Sequence, residues 1–272
     1  MHFSRASWLL SACMGAMVSA SSVLEMDLVF PRNETYAPTE LFPIIFAFQN
    51  AERAKYLNPH ISYTIRNWDN RNDTITRSYD LRWTNWSSHD PYFAYTYFSD
   101  FSTEGRWKLD WSLTWESCDE YAFSNSLPRA SMIYNSTSWG IFFTIQNAAP
   151  KVDLVTATAN KTCPGEHGVA IKVTDKTMEV PLWVDWPGGD STNNTCAVVA
   201  SSTPMPIPDP CRVDIDSAIA ASMSASLTAT LCKGVNPPAD CPEDDENAAQ
   251  QLAVFGVSLL LAAFGALSFF LM

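Results

Sequence analysis

The sequence predicts an all-β protein, an antiparallel β-sandwich of immunoglobulin-like type with a short C-terminal helix. Three observations carry that expectation. In Arg106–Glu116 (R-W-K-L-D-W-S-L-T-W-E), Trp107, Leu109, Trp111, Leu113 and Trp115 fall on every second position. A period of two puts all five on one face of a strand, whereas a helix would send the two Leu to the side opposite the Trp. Around this stretch lie some nine or ten short segments of similar alternation, separated by turn-forming residues. Only one segment, Asp214–Leu231, has a convincing helical period.

In chain order, Glu25–Phe30 reads as a first strand ended by Pro31, and Thr39–Pro43 as a turn. Ile44–Gln49 follows with Ile44, Phe46 and Phe48 in phase, then Ile61–Ile65. Asn67–Asp73 (N-W-D-N-R-N-D) is dense in turn formers and reads as a loop. Ile75–Trp83 alternates through Tyr79, Leu81 and Trp83. Tyr92–Phe98 is aromatic on both faces, so it predicts either double burial or an exposed aromatic stripe. After the Trp strand, Asp119–Ser138 reads as a long loop, and Trp139–Gln146 returns to alternation. Val169–Val173 and Glu179–Trp186 predict a hairpin around Thr174-Asp175-Lys176. Ser201–Pro210 has four Pro in ten residues and reads as extended. In Asp214–Leu231, the residues Ile215, Ile219, Met223, Leu227 and Leu231 recur four apart, before Lys233-Gly234 as a helix stop.

The two ends read as processing signals. Residues 1–20 place Arg5 before an apolar run from Trp8 to Val18 and close on Val18-Ser19-Ala20, the pattern of a cleaved signal peptide. Leu252–Met272 is apolar throughout, with no basic residue after it and the acidic Glu243–Glu246 before it. That is the pattern of a tail exchanged for a glycosylphosphatidylinositol anchor, with Asn247 as the expected attachment site and Gly234 as the alternative. The expected organisation is a signal peptide (1–20), a sandwich (21–200), a Pro-rich segment with helix (201–234), an acidic spacer (235–247) and a removed tail (248–272). The implied location is the outer leaflet of the plasma membrane or the cell wall, reached through the secretory pathway.

Cysteines and sequons agree with that route. Six of seven Cys lie beyond the signal peptide: Cys118, Cys163, Cys196, Cys211, Cys232 and Cys241. An even number in an oxidising compartment predicts three disulfides, with fifteen possible pairings. Attachment at Asn247 keeps all six. Asn-X-Ser/Thr sequons stand at Asn33, Asn72, Asn85, Asn135, Asn160 and Asn193.

The formal net charge is −12 with no basic cluster, which argues against a nucleic-acid partner. The chain has no Gly-rich phosphate loop and no G-x-S-x-G elbow, and His60, His89 and His167 are isolated, so no cofactor or metal is expected. Asp100, Glu104, Asp110 and Glu116 sit around the Trp strand, with Asp110 expected to face outward near Asp80 on another strand, and a carboxylate pair among them is the one enzymatic route left open. The aromatics are the other candidates. Trp107, Trp111 and Trp115 are expected in the core. Trp68, Trp86 and Trp186 lie in polar, loop-like sequence and are the expected sugar-stacking residues, the plainer reading being that they cap the ends of the sandwich.

Asp27–Pro38 (D-L-V-F-P-R-N-E-T-Y-A-P), Pro43–Asn50 (P-I-I-F-A-F-Q-N) and the segment from Pro210-Cys211 through Cys232 resemble a group of fungal secreted proteins that share a domain of unknown function. The resemblance runs from about Leu24 to Cys232. It implies a secreted fungal protein and brings no catalytic or binding residues with it. The expected function is a non-enzymatic surface or cell-wall protein, structural or glycan-binding, and the alternative is a carbohydrate-active hydrolase.

Overall fold

The computed structural model describes residues 22–70, 73–127, 131–159, 168–184, 194–200, 206–234, 237–239 and 241. The expected signal peptide, acidic spacer, attachment site Asn247 and hydrophobic tail lie outside them. Among the described residues no helix is long and apolar enough to cross a membrane. The chain divides into two compact units, Met1–Ile215 and Asp216–Met272.

The first unit is a sandwich of two five-stranded sheets. Its strands are β1 (Val23–Phe30), β2 (Thr35–Tyr36), β3 (Phe42–Gln49), β4 (His60–Asn67), β5 (Thr74–Asp80), β6 (Tyr92–Phe98), β7 (Gly105–Ser117), β8 (Ile133–Ile145), β9 (Gly168–Glu179) and β10 (Thr195–Val199). One sheet has the order β10-β9-β1-β3-β6 and the other β2-β8-β7-β4-β5. Every pair is antiparallel except the two-residue β2, which runs parallel to β8. The expectation of a β-sandwich is met.

The Trp strand is β7, at the centre of its sheet between β4 and β8. Its alternation does what the sequence implies: Trp107, Leu109, Trp111 and Leu113 are buried facing the other sheet, with Trp115 half-buried at the end of the row. Phe42, Ile44, Phe46 and Phe48 of β3 face them. Phe46 meets Trp111 edge-on at 5.5 Å and Tyr63 of β4 at 5.7 Å, and Phe42 stacks on Phe143 of β8 at 5.2 Å. Aromatic pairs of this kind add to the area they bury.

In β1 and β3 the residues of the opposite phase, Glu25, Asp27, Val29, Ile45 and Ala47, are buried as well. That face is covered in part by the segment 206–215. The Asp209 N–H donates to Glu25, Arg212 reaches Glu25 at 2.7 Å and Gln49 at 2.9 Å, and the Ile215 N–H donates to Thr158 at 2.9 Å. Thr158 sits in a short helix, α2 (Leu154–Ala159), which follows α1 (Glu120–Ser124). The Pro-rich region, as far as it is described, is thus a strap belonging to the first unit.

Four expectations are corrected. The segment read as a loop up to Ser138 holds α1 and the first six residues of β8. Thr174-Asp175-Lys176 is not a turn, because β9 runs straight through it and pairs with β10, a strand the sequence reading missed. Residues 181–184 are a turn rather than strand, leaving Trp183 60% exposed. Strand β5 ends at Asp80, so Trp83, expected in phase with the core, is 66% exposed.

Cys118, just after β7, bonds to Cys196 of β10, 78 residues away, and so joins the two sheets covalently. A small apolar cluster of Ala122, Phe123, Met132, Val180 and Val198 surrounds this bridge. Cys211 is disulfide-bonded too, and Cys163 lies outside the described residues. The second unit contains α3 (Ser217–Cys232), capped where the Asp216 carboxylate accepts the Ile219 N–H at 2.8 Å. A Cys232–Cys241 disulfide closes a nine-residue loop behind it.

Trp111 touches both sheets, so truncating it opens a cavity that neither sheet can close alone. The variant Trp111→Ala is expected to lose about 3–5 kcal/mol of stability, measured as a lower urea midpoint with an unchanged slope.

Candidate functional site

The outward face of the second sheet is its solvent side, and the side chains on it are short and polar. β4 and β5 contribute Ser62, Thr64, Thr74, Thr76 and Ser78, and β7 and β8 contribute Ser112, Thr114, Ser136 and Ser138. Gly140 lies in the middle of β8, where a Cβ would stand 2.6 Å from the Asp110 carboxylate and 3.3 Å from Lys108. The missing side chain lets those two charged groups lie flat across the face. Aromatic and charged residues gather at the two ends.

At the first end, Asn67 closes β4 with its side chain. Its Oδ1 accepts the N–H groups of Asp69 at 2.9 Å and Asn70 at 3.0 Å, an Asx turn that sets the following loop. The loop is tied to β7 by the Trp68 N–H to the Arg106 carbonyl (2.7 Å) and the Arg106 N–H to Asp69 (3.1 Å). Trp68, 44% exposed, stands edge-on to Phe142 at 5.2 Å. The Arg106 guanidinium lies 4.5 Å and the Lys108 ammonium 5.9 Å from the Phe142 ring centre. Asp110 takes Lys108 at 2.7 Å and Arg66 at 3.5 Å. Two aromatic rings, three cations and two carboxylates therefore share one patch.

At the other end a cavity of about 450 Å³ is lined by Asn58, His60, Asp80, Arg82, Glu116 and Tyr134, among others. The pairing of His60 with both Asp80 and Thr114 brings these groups together from β5, β4 and β7. The Arg82 guanidinium binds Asp80 and holds its carboxyl below the ordinary range. Glu116 accepts from the Asn58 amide at 3.1 Å. Of the acids singled out from the sequence, Asp80 and Glu116 share this cavity. Asp110 is at the opposite end, and Glu104 accepts the Asn147 N–H at 2.7 Å. A glycosidase acid needs a carboxyl pushed up in pKa, and Asp80 is pushed the other way. Among the described residues no three His, Cys, Asp or Glu converge as metal ligands.

The other sugar-stacking candidates fare differently. Trp86 is corrected: it is 3% exposed, packed against Phe48 at 5.1 Å and Tyr92 at 5.2 Å, and closes one end of the sandwich. Its sequence neighbours are polar because they alone face water. Trp186 lies outside the described residues, as do Asn72, Asn160 and Asn193. Asn33 and Asn85 are exposed and Asn135 is half-buried. Phe142 escaped the sequence reading because it sits in the strand Trp139–Gln146, where the core phase is carried by its neighbours Ile141 and Phe143.

Residues 19–241 match the model of DUF7136, a domain of unknown function. The chain belongs to this family. No curated protein and no solved structure matches it. The DUF7136 match takes in all ten strands, α3 and the Cys232–Cys241 loop, so the whole sandwich and the face just described belong to the domain.

One acidic pair in the domain lies away from this face. Glu25 and Asp27 project from the outer side of β1 under the strap. Asp27 is 0% exposed, takes the Gln49 amide at 2.9 Å on one oxygen, and has no partner among the described residues on the other. It fits because Gly168, opposite it on β9, has no side chain. Burial, followed by the nearby Glu25, pushes its pKa from 3.8 up to about 8. The raised value fixes the sign of the linkage. Folding holds Asp27 neutral at pH values where the unfolded chain ionises it, so its contribution is complete below about pH 4 and lost as pH rises towards 8. The melting temperature is expected to fall across that window. Asp27→Asn should flatten the fall and raise the melting temperature at pH 8 by at least about 3 °C, read by calorimetry from pH 4 to pH 9. An equal slope in both proteins would show that Asp27 is ionised in the fold.

Proposed function

We propose that this DUF7136 protein is an N-glycosylated, lipid-anchored protein of the fungal cell surface or wall, which binds an extended polysaccharide along the outward face of its second sheet. The observation that carries the reading is the pairing of a bare polar face with aromatic groups at both ends. From Tyr134 to Phe142 along β8 is eight residues, about 27 Å at strand rise. That is room for several sugar units. Trp68 is the exposed ring for pyranose C–H groups, with the half-buried Phe142 supporting it from under the Arg106 guanidinium, while Arg66, Arg106, Asp110 and the Ser/Thr rows offer partners to hydroxyls. The face is preformed on strands, which limits the ordering cost of binding. Exposed Asn33 and Asn85, the inter-sheet disulfide and the apolar segments at both chain ends support a secretory route and an anchor at Asn247.

The hydrolase reading keeps one specific support, the cavity that Asp80 and Glu116 share beside His60. Depletion of the secreted chain by insoluble glucan, chitin or mannan, with release of reducing ends scored in the same tubes, separates the two. Binding without product is expected. Trp68→Ala and Phe142→Ala should each weaken it by at least about fivefold, while Leu182→Ala, on an exposed turn elsewhere, should leave it unchanged. Sugar release abolished by Glu116→Gln would transfer the function to the cavity. Retention by none of the three polymers would sink the polysaccharide reading. Anchoring is tested separately, by release of the protein from intact cells with a phosphatidylinositol-specific phospholipase C.

A further inference from the structure

Sequon Asn135-Ser136-Thr137 differs from the other described sequons in where its asparagine points. Asn33 and Asn85 stand exposed in connecting segments. Asn135 lies within β8, opposite Trp115 of β7, and two residues apart in either direction the register pairs Leu113 with Thr137 and Ser117 with Ile133. Trp111, buried against the first sheet, shares this phase, so the Asn135 side chain projects from the inward face of its sheet.

Among the described residues the two sheets do not close on each other there. A cleft of about 570 Å³ opens between them, with Trp115, Asn135 and Trp139 on one side and Val169, Ile171 and Val199 on the other. Pro206 and Pro208 of the strap complete its rim. Trp139 stacks on Trp111 at 4.5 Å, so the cleft is continuous with the aromatic core. The Trp115 indole N–H is buried and has no acceptor among the described residues. Such a donor costs free energy for as long as it stays unpaired. The cleft thus combines apolar walls, an indole with a spare donor and a glycosylation acceptor within one space.

We propose that an N-glycan carried by Asn135 folds back into this cleft, its first sugars lying against Trp115 and Trp139 and closing the open edge of the sandwich. The inference rests on the secretory reading above. The modification transfers an oligosaccharide from a polyprenyl-diphosphate donor. The bond from sugar C1 to Asn135 Nδ2 forms, the bond from C1 to the diphosphate oxygen breaks, and the amide proton leaves with the diphosphate. It precedes pairing of β8 with β7, because the finished sheet half-buries the acceptor. Once attached, N-acetylglucosamine suits the site. Its ring C–H groups and acetyl methyl meet the apolar walls, and its acetyl carbonyl or a hydroxyl accepts from Trp115. The tether makes the contact intramolecular, so even weak stacking keeps the cleft filled.

The test uses the full chain secreted from a glycosylating eukaryotic host. Glycopeptide mass spectrometry gives occupancy at Asn33, Asn85 and Asn135, and timed digestion of the native protein with an endoglycosidase gives the accessibility of each glycan. Asn135 is expected to be occupied and its glycan released at least about tenfold more slowly than those at Asn33 and Asn85, with the difference gone after denaturation. Thr137→Ala, which removes the sequon and keeps Asn135, should increase binding of an apolar fluorescent dye. Thr137→Ser, which keeps the sequon, should not. Glycans at Asn33 and Asn85 with Asn135 bare overturn this inference alone, as does release at equal rates from all three. An apolar small molecule co-purifying in the cleft of a protein bare at Asn135 overturns it as well. A chain that is neither secreted nor modified at any of the three overturns both this inference and the secretory reading.

Discussion

The contact of Trp111 with both sheets is the constraint on which the rest of the structure depends. Its indole stacks on Trp139 of the neighbouring strand at 4.5 Å and meets Phe46 of the opposite sheet at 5.5 Å. Large rings set the gap between the sheets and leave little freedom in register, because a shift of one residue would turn three indoles into solvent. The same size explains why the sandwich does not close everywhere. Among the described residues, the inward side chains of the first sheet across from Trp115 are Val169, Ile171 and Val199, too small to fill the space. A core built on indoles thus produces both a tight centre and an open edge.

The two sheets are used unequally, and their sequences differ accordingly. β3 (F-P-I-I-F-A-F-Q) is apolar in both phases because a second layer lies over its outer side. β4 and β7 alternate cleanly because their outer side faces water. Covering one face has a cost that shows at Asp27, whose carboxyl is driven neutral by the strap that shields it. The bare face carries no such strain. Asp80 and Asp110 each have a cation within reach and water around them.

How much was legible follows the same division. Segments with one wet face, such as β4 and β7, could be read from alternation alone, and the central strand was placed to within a residue at each end. Where the alternation was carried by polar residues the reading failed. The start of β8 turns Asn135 and Thr137 inward and half-buries them in phase with Trp139, but neither looks like a core residue in sequence. β9 holds Thr174-Asp175-Lys176 inside a strand because its pairing passes from β1 to β10 there, a tertiary effect that overrides local turn preference. Trp86 misled in the other direction. Polar neighbours marked it as exposed, and only Phe48 and Tyr92, distant or masked by their own strands, show why it is not.

The outward face of the second sheet was half legible for a similar reason. Trp68 could be picked out because a turn-rich segment does not bury an indole by itself. Its partner Phe142 could not, since in an aromatic-rich strand nothing local says which ring faces out. That phase is set by Leu109 opposite Ile141 and Trp107 opposite Phe143. Once those pairs are inside, Phe142 must face water, where Arg106 and Lys108 crowd its ring. Phe142 is half-buried there, held between two cations and an edge-on indole rather than against the core. It stands beside the bare Ser/Thr rows, along which the proposed polysaccharide would lie. For the carbohydrate ligand proposed above, the face supplies a ring for C–H groups and short hydroxyls for hydroxyls, whereas a protein partner would call for a larger apolar centre.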